Sequence, residues 1–257
     1  MQPSRTRRIT LGLALSLALT AAACGDDDDT AADDTGNETT APDAAEAAEV
    51  SVEACDAYVG LSGAMMGDPA AAGDLFAAFE STAPDELADE AATVVATYTS
   101  LAEGGDPSAF AEPEYVAASA AVADAYFEGC ETVAELDVQG VDYGFEGLPS
   151  EVAAGRVALR FTNATEHDEP HELVLFQIQD GVTETVEELL ALPEEEAGSK
   201  MAPVGVVFVD TPGAEAAAML DLEPGRYAAV CFIPIGGGDD GAPHFTGGMV
   251  AELEVTQ

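Results

Sequence analysis

Near residue 138 the spacing of apolar side chains changes period, and this change divides the chain into a helical part and a β part. Between residues 51 and 135 apolar positions recur at intervals of three and four. They are Val59 and Met66, then Leu75, Phe76 and Phe79, then Leu87, Val94, Tyr98 and Leu101, then Tyr115, Val122 and Tyr126. Pro69, Pro84 and Pro113 stand where helices begin, and Gly104-Gly105 closes the third. From about Val138 the alternation is of period two. Val157, Leu159 and Phe161 interleave with Arg156, Ala158 and Arg160; Val174, Phe176 and Ile178 with Leu173, Leu175 and Gln177; Ala251, Leu253 and Val255 with Val250, Glu252 and Glu254. Turn signals at Pro212-Gly213 and Pro224-Gly225 mark further short strands, which is a β-sandwich pattern. Residues 183–192 interrupt it with one helical stretch ending at Pro193, an expected small insertion. The expected fold class is α+β multidomain: a small helical bundle over 51–135, then a sandwich over 136–257.

The first fifty residues belong to neither. Arg5, Arg7 and Arg8 precede an apolar run over 9–23 that is too short to span a bilayer and reads as a signal peptide, residues 1–23. Small residues directly before Cys24, followed by Gly25 and four Asp, resemble a bacterial lipobox, which would make Cys24 the lipidated first residue of the mature chain. Residues 24–50 are Asp, Glu, Ala and Thr with too little apolar surface for a core, and are expected to form a disordered acidic tether. The expected location is therefore outside the cytoplasm, on the cell membrane through the lipid.

Four cysteines remain to be distributed: Cys24, Cys55, Cys130 and Cys231. An even number of antiparallel helices sets the start of the first beside the end of the fourth, where Cys55 and Cys130 fall. In an oxidising compartment they are natural disulfide partners. Cys231 is left over. A single Cys is commonly a buried small hydrophobe. Here it is preceded by Pro170-His171 and followed by His244 and Met249. Two imidazoles, one thiol and one thioether are the ligand types of a His2Cys copper site with a weak axial Met, which moves single electrons. His167 is the rival imidazole, in a polar loop that suits a solvated surface His.

The same residues carry a family resemblance. The stretch over 161–175, with Asn163 and Pro170-His171, resembles the strand, loop and first His of the cupredoxins, the plastocyanin and azurin type of blue copper proteins. The run from Gly225 to Cys231 resembles the strand that delivers their Cys. His244, with four residues between it and Met249, and the alternating strand after it match their second His, axial Met and closing strand. The resemblance covers about residues 136–257 and implies a Greek-key β-sandwich with one type 1 copper held by His171, Cys231, His244 and Met249. One departure is the twelve residues between Cys231 and His244, rich in Gly and Asp. A loop of that length is expected to hold His244 loosely.

The formal net charge is −43. Loss of the three leader arginines leaves four basic residues against fifty acidic ones, a net of −46. Such a surface excludes nucleic acid and anionic headgroups as partners and favours a basic extracytoplasmic redox protein. No nucleophile–base pair or phosphate loop is present, so the chain reads as a carrier or binder rather than an enzyme. Two alternatives stand beside electron transfer: copper capture or storage without turnover, and a metal-free cupredoxin-like module binding a partner or solute.

Overall fold

The computed structural model describes residues 49–257 except 65, 67, 68 and 237–240. The leader, Cys24 and nearly all of the tether lie outside the described residues.

Four helices come first: α1 (Val52–Ala64), α2 (Pro69–Thr82), α3 (Ala88–Ala102) and α4 (Pro113–Gly129). Pro69 and Pro113 occupy first helical positions, where a missing N–H costs nothing. Pro84 instead precedes a 3-10 turn, Asp85–Leu87, that leads into α3. Gly104, at φ 89°, turns the chain out of α3 in the left-handed region that a side chain would strain. The core is aromatic at its centre: Tyr58, Phe79 and Tyr126 stack with centroids 4.7–5.7 Å apart. On α1 the buried residues include Ala54, Cys55, Tyr58, Leu61 and Ala64, with the expected Val59 only half-buried. Cys55 in the first turn of α1 and Cys130 at the end of α4 are disulfide-bonded, Cα atoms 5.9 Å apart.

Nine strands follow: β1 (Ala134–Val141), β2 (Gly144–Glu146), β3 (Glu151–Ala153), β4 (Gly155–Asn163), β5 (His171–Ile178), β6 (Met201–Val209), β7 (Glu215–Leu222), β8 (Gly225–Val230) and β9 (Val250–Thr256). They form two sheets, in the orders β2-β1-β4-β7 and β3-β9-β8-β5-β6. Alternate residues face inward: Val157, Leu159 and Phe161 of β4, Leu173 and Leu175 of β5, Tyr227 and Ala229 of β8, Leu253 and Val255 of β9. The insertion is two short helices rather than one. α5 (Val186–Leu190) starts at a capping box between Thr185 and Glu188, and α6 (Glu194–Gly198) starts immediately after Pro193. Val186 and Leu189 cover Ile178, Ala228 and Val230 on the outer face of the second sheet, so β5 is apolar on both faces.

The helices close the other outer face. Ala158, Ala217 and Met219, outward-facing on β4 and β7, join the helical core. Arg156 and Arg160, which alternation alone puts on a wet face, reach across instead. Arg156 pairs with Asp56 of α1 at 2.6 Å and Asp221 of β7 at 3.1 Å; Arg160 pairs with Asp124 of α4 at 2.7 Å and Glu215 of β7 at 3.1 Å. The Arg160 guanidinium also lies over the Phe127 ring. Lys200 and Arg226 pair with Glu184 and Glu252, so every described cation is held in an intramolecular ion pair.

The disulfide closes the whole bundle, its cysteines 75 positions apart. Replacing Cys55 and Cys130 together by Ser is expected to lower stability by about 4 kcal/mol in the chain-entropy model, read from the denaturant midpoint at unchanged slope.

Candidate metal centre

Strand register brings the ligands together. β8 runs antiparallel between β5 and β9, with Val230 opposite both Val174 and Val250. One step further, Cys231 donates its N–H to the Met249 carbonyl at 3.2 Å, and His171 opens β5 at the same end of the sandwich. Side chains alternate along a strand, so parity decides direction. His171 shares parity with Leu173 and Leu175, Cys231 with Tyr227 and Ala229, Met249 with Leu253 and Val255. All three therefore point into the core, and all are fully buried.

His244 arrives by a different route. The segment between Cys231 and His244 folds back on itself: Ile235 N–H donates to Ala242 O at 2.9 Å, Pro234 pairs with Pro243, and His244 N–H donates to Ile233 O at 2.8 Å. Phe245 N–H then closes on Cys231 O at 3.0 Å. The described residues on either side of 237–240 pair as two arms, and that pairing holds His244. The expectation of a loose His244 is thereby corrected, because inserted length at a hairpin tip is isolated from its stem. A 3-10 turn, His244–Gly247, and Gly248 at φ 115° then return the chain to Met249, whose N–H donates to His244 O.

The Nδ1 atoms of His171 and His244 face each other at 3.2 Å, and Cys231 Sγ is 3.5 Å from His244 Nδ1. All three donor atoms lie within 4.8 Å of one another. Donors about 2.0–2.3 Å from one ion stand about 3.5–3.8 Å apart, so the two distances to His244 Nδ1 fit a shared metal to within a few tenths of an ångström. Met249 meets the site across Gly140: a Cβ there would lie 3.1 Å from Met249 Cε and 3.3 Å from His171 Cβ. Burial and the neighbouring His244 hold the His171 imidazole down to about 4, and burial also lowers His244, against the pull of Glu169. Both rings are thus neutral donors at pH 7. Burial pushes the Cys231 thiol up to about 11, opposed by the N–H groups of Glu172 and Ile233. His167 is not part of the cluster; its ring is exposed and 3.8 Å from Asp142.

Several further residues support the cluster. Glu169 Oε1 accepts from Gly236 N–H of the hairpin at 3.0 Å, and its Oε2 lies 3.1 Å from His244 Nε2, at contact distance but outside hydrogen-bond alignment. Asn163, fully buried, donates to the Glu169 carbonyl at 2.8 Å and accepts from Thr165 N–H, fixing the loop into His171. Tyr143 packs edge-on against His244, centroids 5.2 Å apart. Adding a methyl at Gly140, 2.8 Å from Phe161 Cζ, should force Met249 and His171 apart. Gly140→Ala is expected to cost about 1–3 kcal/mol of stability and to weaken metal binding, checked by thermal unfolding with and without copper.

No protein-family model matches the chain, and no curated protein matches it significantly. Among solved structures, a reduced auracyanin from Roseiflexus castenholzii is 17% identical over 50% of this chain and 100% of its own, with a TM-score of 0.33. An azurin from Methylomonas sp. strain J is 12% identical over 49% and 100%, at 0.32. A multicopper oxidase from Campylobacter jejuni is 13% identical over 50% and 31%, at 0.30. Values this low carry no weight by themselves. Strand order and inward parity define residues 134–256 as a two-sheet β-sandwich, with the donor atoms of His171, Cys231 and His244 converging at one end of it. His171, Cys231 and His244 could hold a metal ion there, and Met249 is fully buried beside them.

Proposed function

We propose that this protein is a lipid-anchored electron carrier working outside the cytoplasm. The observation that carries the reading is the convergence of two Nδ1 atoms and one Sγ, all fully buried, at one end of a rigid sandwich. Copper bound there supplies reversible one-electron chemistry. The residues supply constraint. His171 and Cys231 are fixed by strand pairing and His244 by its hairpin, so neither oxidation state can draw the ligands into its own preferred geometry. Four side chains of this chain would supply every donor from within the fold, as a carrier requires. Capture without turnover rested on a loose His244, and the paired hairpin removes that support. Export and anchoring rest on the leader and on Cys24, and a basic redox partner on the acidic charge.

Cys231→Ser is expected to abolish the intense thiolate-to-copper absorption, because a hydroxyl oxygen is a harder and less basic donor. Met249→Leu should keep the colour and raise the reduction potential, since a weak axial donor is lost while the trigonal set stays. His167→Ala should leave the spectrum and the potential unchanged. A copper-loaded wild type without that absorption, or one whose binding fails with His167→Ala and survives His244→Ala, would overturn the assignment.

The ionisation states fix a proton count. At pH 7 the Cys231 thiol, near 11, is protonated and the imidazoles, at about 4 and below the usual value, are not. Metal binding to the apo-protein should release about one proton, constant across the neutral range and falling away as pH approaches the thiol's value. Titration calorimetry in buffers of different ionisation enthalpy reads this number directly. Zero or two protons would contradict the ligand set.

A further inference from the structure

A second site adjoins the metal cluster, on the opposite face of β5. A cavity of about 390 Å³ opens between the helices and the edge of the sandwich. Its wall is an aromatic cluster centred on Phe110, from the 3-10 turn Pro107–Ala111, with Tyr98 at 5.8 Å, Tyr115 at 5.2 Å and Phe208 of β6 at 5.9 Å between ring centroids. The single ionisable acid lining it is Glu172 on the outer face of β5. Glu172 Oε1 accepts from Phe232 N–H at 3.0 Å; no cation among the described residues approaches the carboxylate. Arg156, Arg160, Lys200 and Arg226 are all engaged elsewhere.

A half-buried carboxylate in a cavity lined by four aromatic rings, with no counter-ion among the described residues, is complementary to one ligand chemistry. A neutral hydrocarbon would leave the carboxylate desolvated and unpaired, and an anion would be repelled. A compact metal ion would find one carboxylate and no second donor of the same kind. An organic cation satisfies both walls, its charge on Glu172 and its alkyl or aryl body against rings that attract cations within about 6 Å. We propose that this cavity binds an organic cation, an amine or quaternary ammonium carrying an apolar group, independently of whether copper is bound.

The test is titration calorimetry of the folded protein with benzyltrimethylammonium, in about 0.5 M sodium chloride to screen the general field of the acidic surface. One-to-one saturable binding is expected, with benzyl alcohol at least ten-fold weaker and phenylacetate silent. Glu172→Gln should weaken the ammonium at least ten-fold and leave benzyl alcohol unchanged, whereas Glu146→Gln, on a distant exposed strand, should change nothing. Val206→Phe, which fills the cavity and keeps the charge, should remove binding of every aromatic probe, with thermal unfolding confirming that both variants fold. Absence of ammonium binding to the wild type, benzyl alcohol binding equally well, or full affinity in Glu172→Gln would each overturn the proposal.

Discussion

Antiparallel pairing of β8 with β5 on one side and β9 on the other is the constraint on which the site depends. It sets Cys231 level with the start of both neighbours, and the alternation of side chains then directs His171, Cys231 and Met249 into the same interior. A slip of one residue in either pairing would turn a ligand out to the surface, because strand periodicity is two. The apolar residues of those strands enforce the register. Moving Tyr227, Ala229, Leu253 or Val255 outward would expose the middle of the core.

The helical bundle is bound up with this arrangement rather than appended to it. β6 and β7 are the edge strands of their sheets, and exposed edges invite pairing with other chains. α1 packs against both, and Ser62 accepts the Met219 N–H that the edge strand would otherwise leave open. Arg156 and Arg160 fasten the two layers from either side of Ala158 and Met219. Ion pairs with exposed carboxylates are individually weak. They act here as specificity, selecting which face of β4 the helices meet, while the apolar contact between them supplies the attraction.

Much of this was legible in the sequence, and the illegible part has physical reasons. The change of period separated helices from strands, and the order His, Cys, His, Met was visible because each ligand type is chemically distinctive. The prolines marked helix starts because only first-turn positions tolerate them. Three things were hidden. Alternation in β5 does not say which face is the core when a helical insertion covers the other. The ion-pair role of Arg156 and Arg160 depends on partners about a hundred and 36 positions away. The hairpin before His244 is made by backbone hydrogen bonds, to which side-chain identity is nearly indifferent, so its Gly and Asp content suggested slack where the stem is paired. Glu169 falls in the same class, a carboxylate among fifty whose importance comes only from where Asn163 places its backbone.

The paired base of that hairpin has a consequence for what the chain can tolerate. Pro234 and Pro243 clasp the two arms, so a change in length between the arms is not transmitted to His244. The tip can be shortened, extended or exchanged for a recognition peptide while the electronic environment of the donor atoms stays the same. Contact with another molecule can thus be redesigned at the rim of the site without retuning its centre. In natural variation, lengthening should accumulate at that tip and stop at the two prolines.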